Sequence, residues 1–465
     1  MFELKGKQVL VIGLGGRGAA ACDLLLSQGA DVLGVDQADS APLRDEAERL
    51  RGVGVQVALG VKDLRASDFA LAVVSPSVAL NSPCVQSALA RAIPVVSELE
   101  LGLQQAHCLS IAIAGTNGKA TTAMLVERIL AAAHRKTLIA GHRAQPVCSV
   151  IEQSRDLDYL ILQASALQLA STRFFRPTVS VLLNLAPDHL DRFSHPDDLV
   201  RAYAALFKQQ QAFDWAIIQS EALAVLKRLN LPVPAKTITF SASDPEADLH
   251  LDRGLIISRL PNWPGPLLDM DHCCLRGPHN AENIMAALAV GRVLRLPLET
   301  MLDPLKKAAS PPHCCELVRE VNGVRFINDK KATNLDALHK AILSVQPAPG
   351  RPANLLLIAG GVESGQPYHD LAPLLSSRVK HVFLIGQASA KIRSAWSLFT
   401  PCTLSASLIE AIAEAAKNAL SGDVVLLSPA CSSFDQFRDY KNRGEIFCQT
   451  VKSISGGGPE DTPNR

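Results

Sequence analysis

The sequence predicts an α/β protein of about three domains, built on parallel sheets covered by helices on both faces. Three observations carry this. The length of 465 residues suits roughly three ordinary domains. Short apolar runs such as "KQVLVIG", "IAIAG" and "NLLLIAGG" alternate with helical patterns, the arrangement that gives parallel sheets with crossover helices. Two of these runs end in a glycine turn that opens a helix, at residues 13–18 and 115–118. A hydrophobic content of 48% with few aromatics fits a packed soluble protein.

Charge and cysteine content narrow the partners. Lys plus Arg number 46 against 45 Asp plus Glu, and no dense basic run suggests a nucleic acid or an anionic membrane. Small molecules are the expected ligands. The 11 cysteines include the vicinal pairs Cys273–Cys274 and Cys314–Cys315 but no zinc-site spacing. The start "MFELKGKQVLVIG" lacks a signal-peptide pattern, and no apolar run reaches the roughly 18 residues of a membrane helix. A cytoplasmic protein with free thiols is the expectation.

The first segment, 1–105, opens with a strand, a glycine turn, a helix and a second strand ending at Asp36, a Rossmann-like N-terminal domain. Gly13, Gly15 and Gly18 fit G-x-G-x-x-G, with Asp36 at a distance suited to a ribose hydroxyl. Alone, this pattern serves a dinucleotide, a uridine nucleotide or merely tight strand–helix packing. The second segment, 106–312, begins with "IAIAGTNGKATT", a P-loop-like strand, turn and helix. Gly115, Thr116, Asn117, Gly118, Lys119, Ala120 and Thr121 form the loop, whose amides and lysine suit a triphosphate. The residue after the lysine normally supplies a hydroxyl for Mg²⁺, and Ala120 has none. "HNAEN" at 279–283 is either a nucleotide contact or a polar start to the apolar helix "IMAALAV", and His189 alone is more often a structural histidine than a ligand. The third segment, 313–455, has strands "RFIND", "NLLLIAGG", "HVFLIG" and "DVVLLSPA" separated by helices, and the tail 456–465 reads as disordered.

Taken in order, "GTNGK", "NLAPDHLDRF", "GPHNAENIMAA", "FINDKKATN" and "GDVVLLSPACSSFDQFRDYKNRGEIF" resemble the Mur ligase family over nearly the whole chain. The likeness is nearest to the branch that adds D-glutamate to UDP-N-acetylmuramoyl-L-alanine. It implies a Rossmann-like N-terminal domain for the UDP sugar, a P-loop-like central ATPase domain and a Rossmann-like C-terminal domain for the amino acid. ATP would phosphorylate the substrate carboxylate, and the amine of D-glutamate would then displace phosphate. Carried over by position, Gly15, Arg17, Asp36 and Gln37 contact the UDP sugar, while Ser165, Thr333, Ser364, Ser433 and Tyr440 contact the substrates. Lys119, His189 and Lys208 are catalytic, Gln163 and His189 hold Mg²⁺, and Asn280, Asn283, Asp329 and Lys331 join the loop around ATP. The resemblance implies a monomer without nucleic-acid or membrane partners.

The departures from the family pattern cluster. Besides Ala120, Gln163 stands where a metal-binding glutamate is expected and Ala166 where a second serine is. Phe207 stands where a carbamylated lysine follows Tyr203 by four residues, with Lys208 one residue late, a slip of about 100° on a helix. Cys314 replaces an arginine, Ser364 a lysine, His142 an asparagine and Ser77 a glycine. Two function classes follow: a ligase with a diverged site, or an impaired paralogue that keeps the fold and binds nucleotide or precursor. A nicotinamide oxidoreductase built on the N-terminal glycines leaves the rest of the chain unexplained.

Overall fold

A computed structural model describes residues 3–64, 68–142, 144–188, 192–193, 195–309, 315–345, 353–363 and 365–454. The chain divides into two compact units: Met1–Leu185 with His195–Cys273 and Pro278–Ala308, and Ala186–Ser194 with Cys274–Gly277 and Ala309–Arg465.

The first unit holds two sheets. In the N-terminal one, β1 (Gln8–Ile12), β2 (Asp31–Val35), β3 (Gln56–Ala58), β4 (Leu71–Val74) and β5 (Val95–Ser97) run parallel in the order 3-2-1-4-5. Val9 to Ile12 are all buried, the continuous apolar strand expected when helices cover both faces. Two glycines set the turn after β1. Gly13 has φ +90° and its place is closed by Val78 and Ser75, whereas a Cβ on Gly18 would lie 1.8 Å from the Gly13 carbonyl oxygen. Those two positions are glycine for packing reasons.

The central sheet comprises β6 (Leu109–Ala114), β7 (Thr137–Gly141), β8 (Tyr159–Ala164), β9 (Val179–Leu182), β10 (Trp215–Gln219), β11 (Lys236–Ser241), β12 (Leu249–Asp252), β13 (Leu255–Ser258) and β14 (Gly265–Asp269). Its order is 14-13-12-11-10-9-6-8-7. The core strands are parallel, while β12, β13 and β14 form an antiparallel extension. Helix Pro278–Val293 packs on helix Lys119–Ala132. It is buried almost all round from Ala281 to Gly291, as an apolar helix without a polar face must be.

In the second unit β15 (Glu316–Val321), β16 (Val324–Asn328), β17 (Leu355–Gly360), β18 (Val379–Ile385), β19 (Cys402–Leu404) and β20 (Val424–Leu427) form a sheet of order 15-16-20-17-18-19, parallel except for the edge strand β15. Apolar clusters lie on both of its faces, one around Leu357 and Trp396, the other around Phe326 and Phe447. Among the described residues no helix is long and apolar enough to cross a membrane.

Candidate active site

Strands β9, β6 and β8 are neighbours, and at their carboxyl edge the chain builds a loop suited to anions, the edge where open α/β sheets bind ligands. The loop follows β6 directly. Gly115 has φ +136° and Gly118 φ +90°, and a Cβ on Gly118 would lie 2.5 Å from Asn283 Oδ1. Gly118 is the N-cap of helix Lys119–Ala132, so the first-turn amides of a 14-residue helix open towards the loop, favouring negative charge there. Lys119 Nζ donates to Gly115 O at 2.6 Å and to Thr116 O at 2.9 Å, which folds its ammonium over the loop. Ala120 and Thr121 are half-buried in the first turn.

Two asparagines hold the loop from behind. The Thr116 N–H donates to Asn184 O at 3.1 Å. The Asn117 N–H donates to Asn184 Oδ1 at 2.9 Å, and Asn184 Nδ2 donates back to Asn117 O at 3.0 Å. Asn184 was not among the expected site residues, although its signal was legible: a polar residue just past the buried strand "SVLL" at the edge shared with the loop. Asn283 is 5% exposed. Its Oδ1 accepts from Thr122 Oγ1 at 3.1 Å and its Nδ2 donates to Asn280 Oδ1 at 3.2 Å. The "HNAEN" pair therefore braces the underside of the loop and its helix.

Gln163 lies in β8 opposite Ile113 of β6. It is 7% exposed, and its side chain makes no hydrogen bond among the described residues. Its carbonyl accepts from the His142 N–H at 2.7 Å. Ser165 caps the short helix Ala166–Leu169: its hydroxyl accepts from the Gln168 N–H at 3.3 Å and donates to Gln168 Oε1 at 3.0 Å. Helix Pro196–Ala204 ends before the expected lysine position. There the chain tightens, Leu206 and Phe207 donating three residues back to Tyr203 and Ala204. Phe207 is fully buried and Lys208 exposed, so the inward position is occupied by a ring.

These residues do not form a carboxylate cage for Mg²⁺. Ala120 offers no oxygen, Gln163 a neutral amide and Phe207 no ligand atom, and among the described residues no group of three His, Cys, Asp or Glu could hold a metal ion. His189, Cys314 and Ser364 fall outside the described residues.

In the N-terminal domain, both Asp36 oxygens are engaged by backbone, Oδ2 by the Leu14 N–H at 2.8 Å and Oδ1 by the Ala38 N–H at 2.9 Å. Asp36 thereby pins the glycine turn, and Gln37 beside it is exposed. Arg17 Nη2 donates to Gly141 O at 2.9 Å. The nearby Glu98 is 1% exposed and accepts from the Cys148 N–H at 2.8 Å. Burial pushes its carboxyl above the usual range, against the pull of that amide and of Arg17. Gly15 is open, with nothing near the place of a Cβ, and faces a cavity of about 680 Å³ lined by Leu14, Gly16, Pro42, Leu43 and Cys148.

In the second unit the functional candidates gather on the loops after β16 and β20. Asp329 is 7% exposed. Its Oδ2 accepts from the Ser428 hydroxyl at 3.0 Å and its Oδ1 from the Cys315 N–H at 3.3 Å. Burial pushes it up to about 7, while those two bonds and the charge of Lys331 oppose the rise. Lys331 and Thr333 are half-buried, and Gln366 ties the loops together by donating to Ala430 O at 3.1 Å and accepting from the Leu335 N–H at 2.7 Å. Ser433 is 2% exposed, and Tyr440 begins the last helix, Tyr440–Lys452. Arg443, fully buried, donates to Cys431 O at 3.1 Å and Lys330 O at 3.2 Å, so it fixes both loops. Burial lowers its guanidinium to about 10.

A glycine-rich loop opening a helix at the carboxyl edge of a largely parallel sheet, in a chain with two further α/β sheets, is the architecture of a nucleotide-type α/β protein. The chain belongs to the Mur ligase family, the ATP-dependent acid–amino-acid ligases. Residues 7–97 match the Mur ligase MurD-like N-terminal domain, 113–291 the Mur ligase middle domain and 315–431 the Mur ligase glutamate ligase domain. The chain is 35% identical over 461 residues to the UDP-N-acetylmuramoylalanine--D-glutamate ligase of Acidobacterium capsulatum, covering 98% of each chain. It is 34% identical over 459 residues to the ligase of the same name from Koribacter versatilis, covering 98% of this chain and 99% of that one. Among solved structures it resembles the UDP-N-acetylmuramate-alanine ligase MurC of Thermotoga maritima, with a TM-score of 0.60 at 15% identity over 97% of this chain and 100% of that one. MurF ligase of the same organism, solved with ADP, gives a TM-score of 0.60 at 16% identity over 97% of each. At those identities the structural likeness speaks for the fold.

Proposed function

We propose that the chain joins D-glutamate to the terminal carboxylate of UDP-N-acetylmuramoyl-L-alanine, consuming ATP in peptidoglycan precursor synthesis in the cytoplasm. The observation that carries this is likeness from end to end, at 34–35% identity, to ligases of that name. A buttressed phosphate loop supports it.

The chain's own residues divide the work by what each can do. With the Thr116 and Asn117 N–H groups committed to Asn184, the amides of Gly115, Gly118 and the first turn of helix Lys119–Ala132 hold the phosphates, and Lys119 offsets the charge that develops as the terminal phosphoryl group moves to the substrate carboxylate. Preorganised donors of this kind are the main catalytic resource in phosphoryl transfer. Asp329 and Lys331 serve the nucleotide from the C-terminal domain, and Thr333, Ser433 and Tyr440 the amino acid. Its amine attacks the acyl carbon, and the tetrahedral intermediate expels phosphate. Gly15, Arg17, Asp36 and Gln37 form the UDP-sugar end, where Asp36 acts by shaping the turn. Mg²⁺ comes with the nucleotide, since it dehydrates reluctantly and keeps most of its shell as water and phosphate oxygens. We take the working protein to be a monomer acting on small molecules.

The test is phosphate release from ATP by the purified chain. Release should require both UDP-N-acetylmuramoyl-L-alanine and D-glutamate, and should fall with Lys119→Ala by about 100-fold or more, the usual effect of removing a transition-state cation. Release that ignores either substrate would defeat the assignment.

A further inference from the structure

We propose that Gln163 binds the terminal phosphate of the nucleotide directly, through its side-chain amide N–H, at the place where a carboxylate-held metal ion would otherwise mediate the contact. The inference rests on the reading of Gly115–Lys119 as a nucleotide site. It is carried by three observations on one sheet edge. Gln163 sits in the strand next to β6, opposite Ile113, two residues before the loop begins at Gly115. It is 7% exposed, yet its amide has no partner among the described residues. The residue as a whole is buried while its amide atoms still reach solvent, so the N–H is open to an incoming acceptor. The remaining surroundings suit an anion and not a cation: Lys119 lies over the loop, a 14-residue helix starts there, and Ala120 brings no oxygen.

The chemistry decides between the two roles. A carboxylate can meet a phosphate only through a cation, because like charges repel and neither group donates. An amide at the same position has an N–H to give, and a neutral donor to a charged acceptor forms one of the stronger hydrogen bonds. Replacing the carboxylate by Gln163 therefore exchanges a metal bridge for a direct bond, and the absent hydroxyl at Ala120 belongs to the same exchange.

The test is calorimetric titration of the full-length chain with ATP and with ADP, in EDTA and in excess Mg²⁺, on wild type, Gln163→Ala and Gln163→Glu. Wild type should bind ATP in EDTA within about tenfold of its affinity in Mg²⁺. Gln163→Ala should weaken ATP in EDTA by about tenfold or more, the scale of a lost hydrogen bond to a charged group, while ADP changes less than about twofold. Gln163→Glu keeps the side-chain size and should reverse the pattern, with ATP weaker than wild type in EDTA and recovering strongly in Mg²⁺. Equal ATP affinities for wild type and Gln163→Ala in EDTA would overturn the inference alone. Failure of wild type to bind either nucleotide in either medium would overturn the nucleotide site itself.

Discussion

Replacing Asn184 by alanine removes the brace behind the Gly115–Gly118 loop, freeing the Asn117 N–H and carbonyl from their side-chain partner while Lys119 and the helix N-terminus stay in place. Two side-chain hydrogen bonds disappear, from the Asn117 N–H at 2.9 Å and to Asn117 O at 3.0 Å, while the backbone bond from Thr116 to Asn184 O remains. Each such bond is worth about 1 kcal/mol net, and half-buried Asn117 recovers part of the loss from water. A total of about 1–2 kcal/mol then falls on the loop's bound geometry, a decrease in ATP affinity of roughly 5- to 30-fold. Titration calorimetry with ATP reads this directly, and thermal unfolding gives the companion measurement. Asn184→Asp keeps the acceptor, loses the donor and brings negative charge to the loop, so it should bind ATP more weakly than the alanine variant. ATP affinity within twofold of wild type for Asn184→Ala would refute the reasoning, because the loop would then hold its shape without the brace.

Other consequences follow from packing and burial. Gly18→Ala places a methyl 1.8 Å from the Gly13 carbonyl oxygen, a backbone contact that cannot yield cheaply, and should lower the melting temperature by several degrees; an unchanged value would mean the turn can open. Phe207→Ala empties a fully buried site and should cost about 3–5 kcal/mol in denaturant unfolding, whereas a loss below about 1 kcal/mol would place the ring outside the core. Asp329 is raised by burial to about 7 from the usual 3.8, so the folded form holds its proton where the unfolded form has lost it. Its contribution is full below about 4 and declines as pH rises towards 7. Asp329→Asn should flatten the stability–pH curve across that window, and a variant curve parallel to wild type would contradict the shift.

Much of the architecture was legible because buried parallel strands are written as continuous apolar runs. "QVLVI", "LSIAIA" and "LLLIAG" are all strands with nearly every residue buried. The antiparallel extension β12–β14 was harder to see, since it is short and half-exposed, and its residues satisfy no strong period. In the site, the phosphate loop was readable from its glycines and lysine, whose spacing is dictated by backbone geometry. Of the two residues that shape the loop from behind, Asn283 was expected near the nucleotide, whereas Asn184 was passed over although it stands just past the buried strand "SVLL", because its bonds to the loop follow only once β9 and β6 are neighbours. Asp36 and Ser165 show the converse. Both are expected at the substrates by position, and the fold adds a local role for each: Asp36 accepts from the Leu14 and Ala38 N–H groups, and the Ser165 hydroxyl bonds the backbone and side chain of Gln168, the Ser-x-x-Gln spacing of a capping box being present in the chain. The one-residue slip at Phe207 and Lys208 was visible in sequence. The tightening of the helix end after Ala204 was not, because i→i−3 turns at a helix terminus leave little mark on composition.

The central claim, amide formation driven by ATP through an acyl phosphate, is tested most directly by following oxygen. The purified chain is given UDP-N-acetylmuramoyl-L-alanine whose terminal carboxylate carries heavy oxygen, with D-glutamate and ATP, and both the amide product and the released phosphate are analysed by mass spectrometry. The account predicts one labelled oxygen in phosphate for each amide formed, since the substrate oxygen that attacks ATP leaves with the phosphoryl group. Product without label in phosphate, or ATP bound with neither product nor phosphate formed, would contradict it.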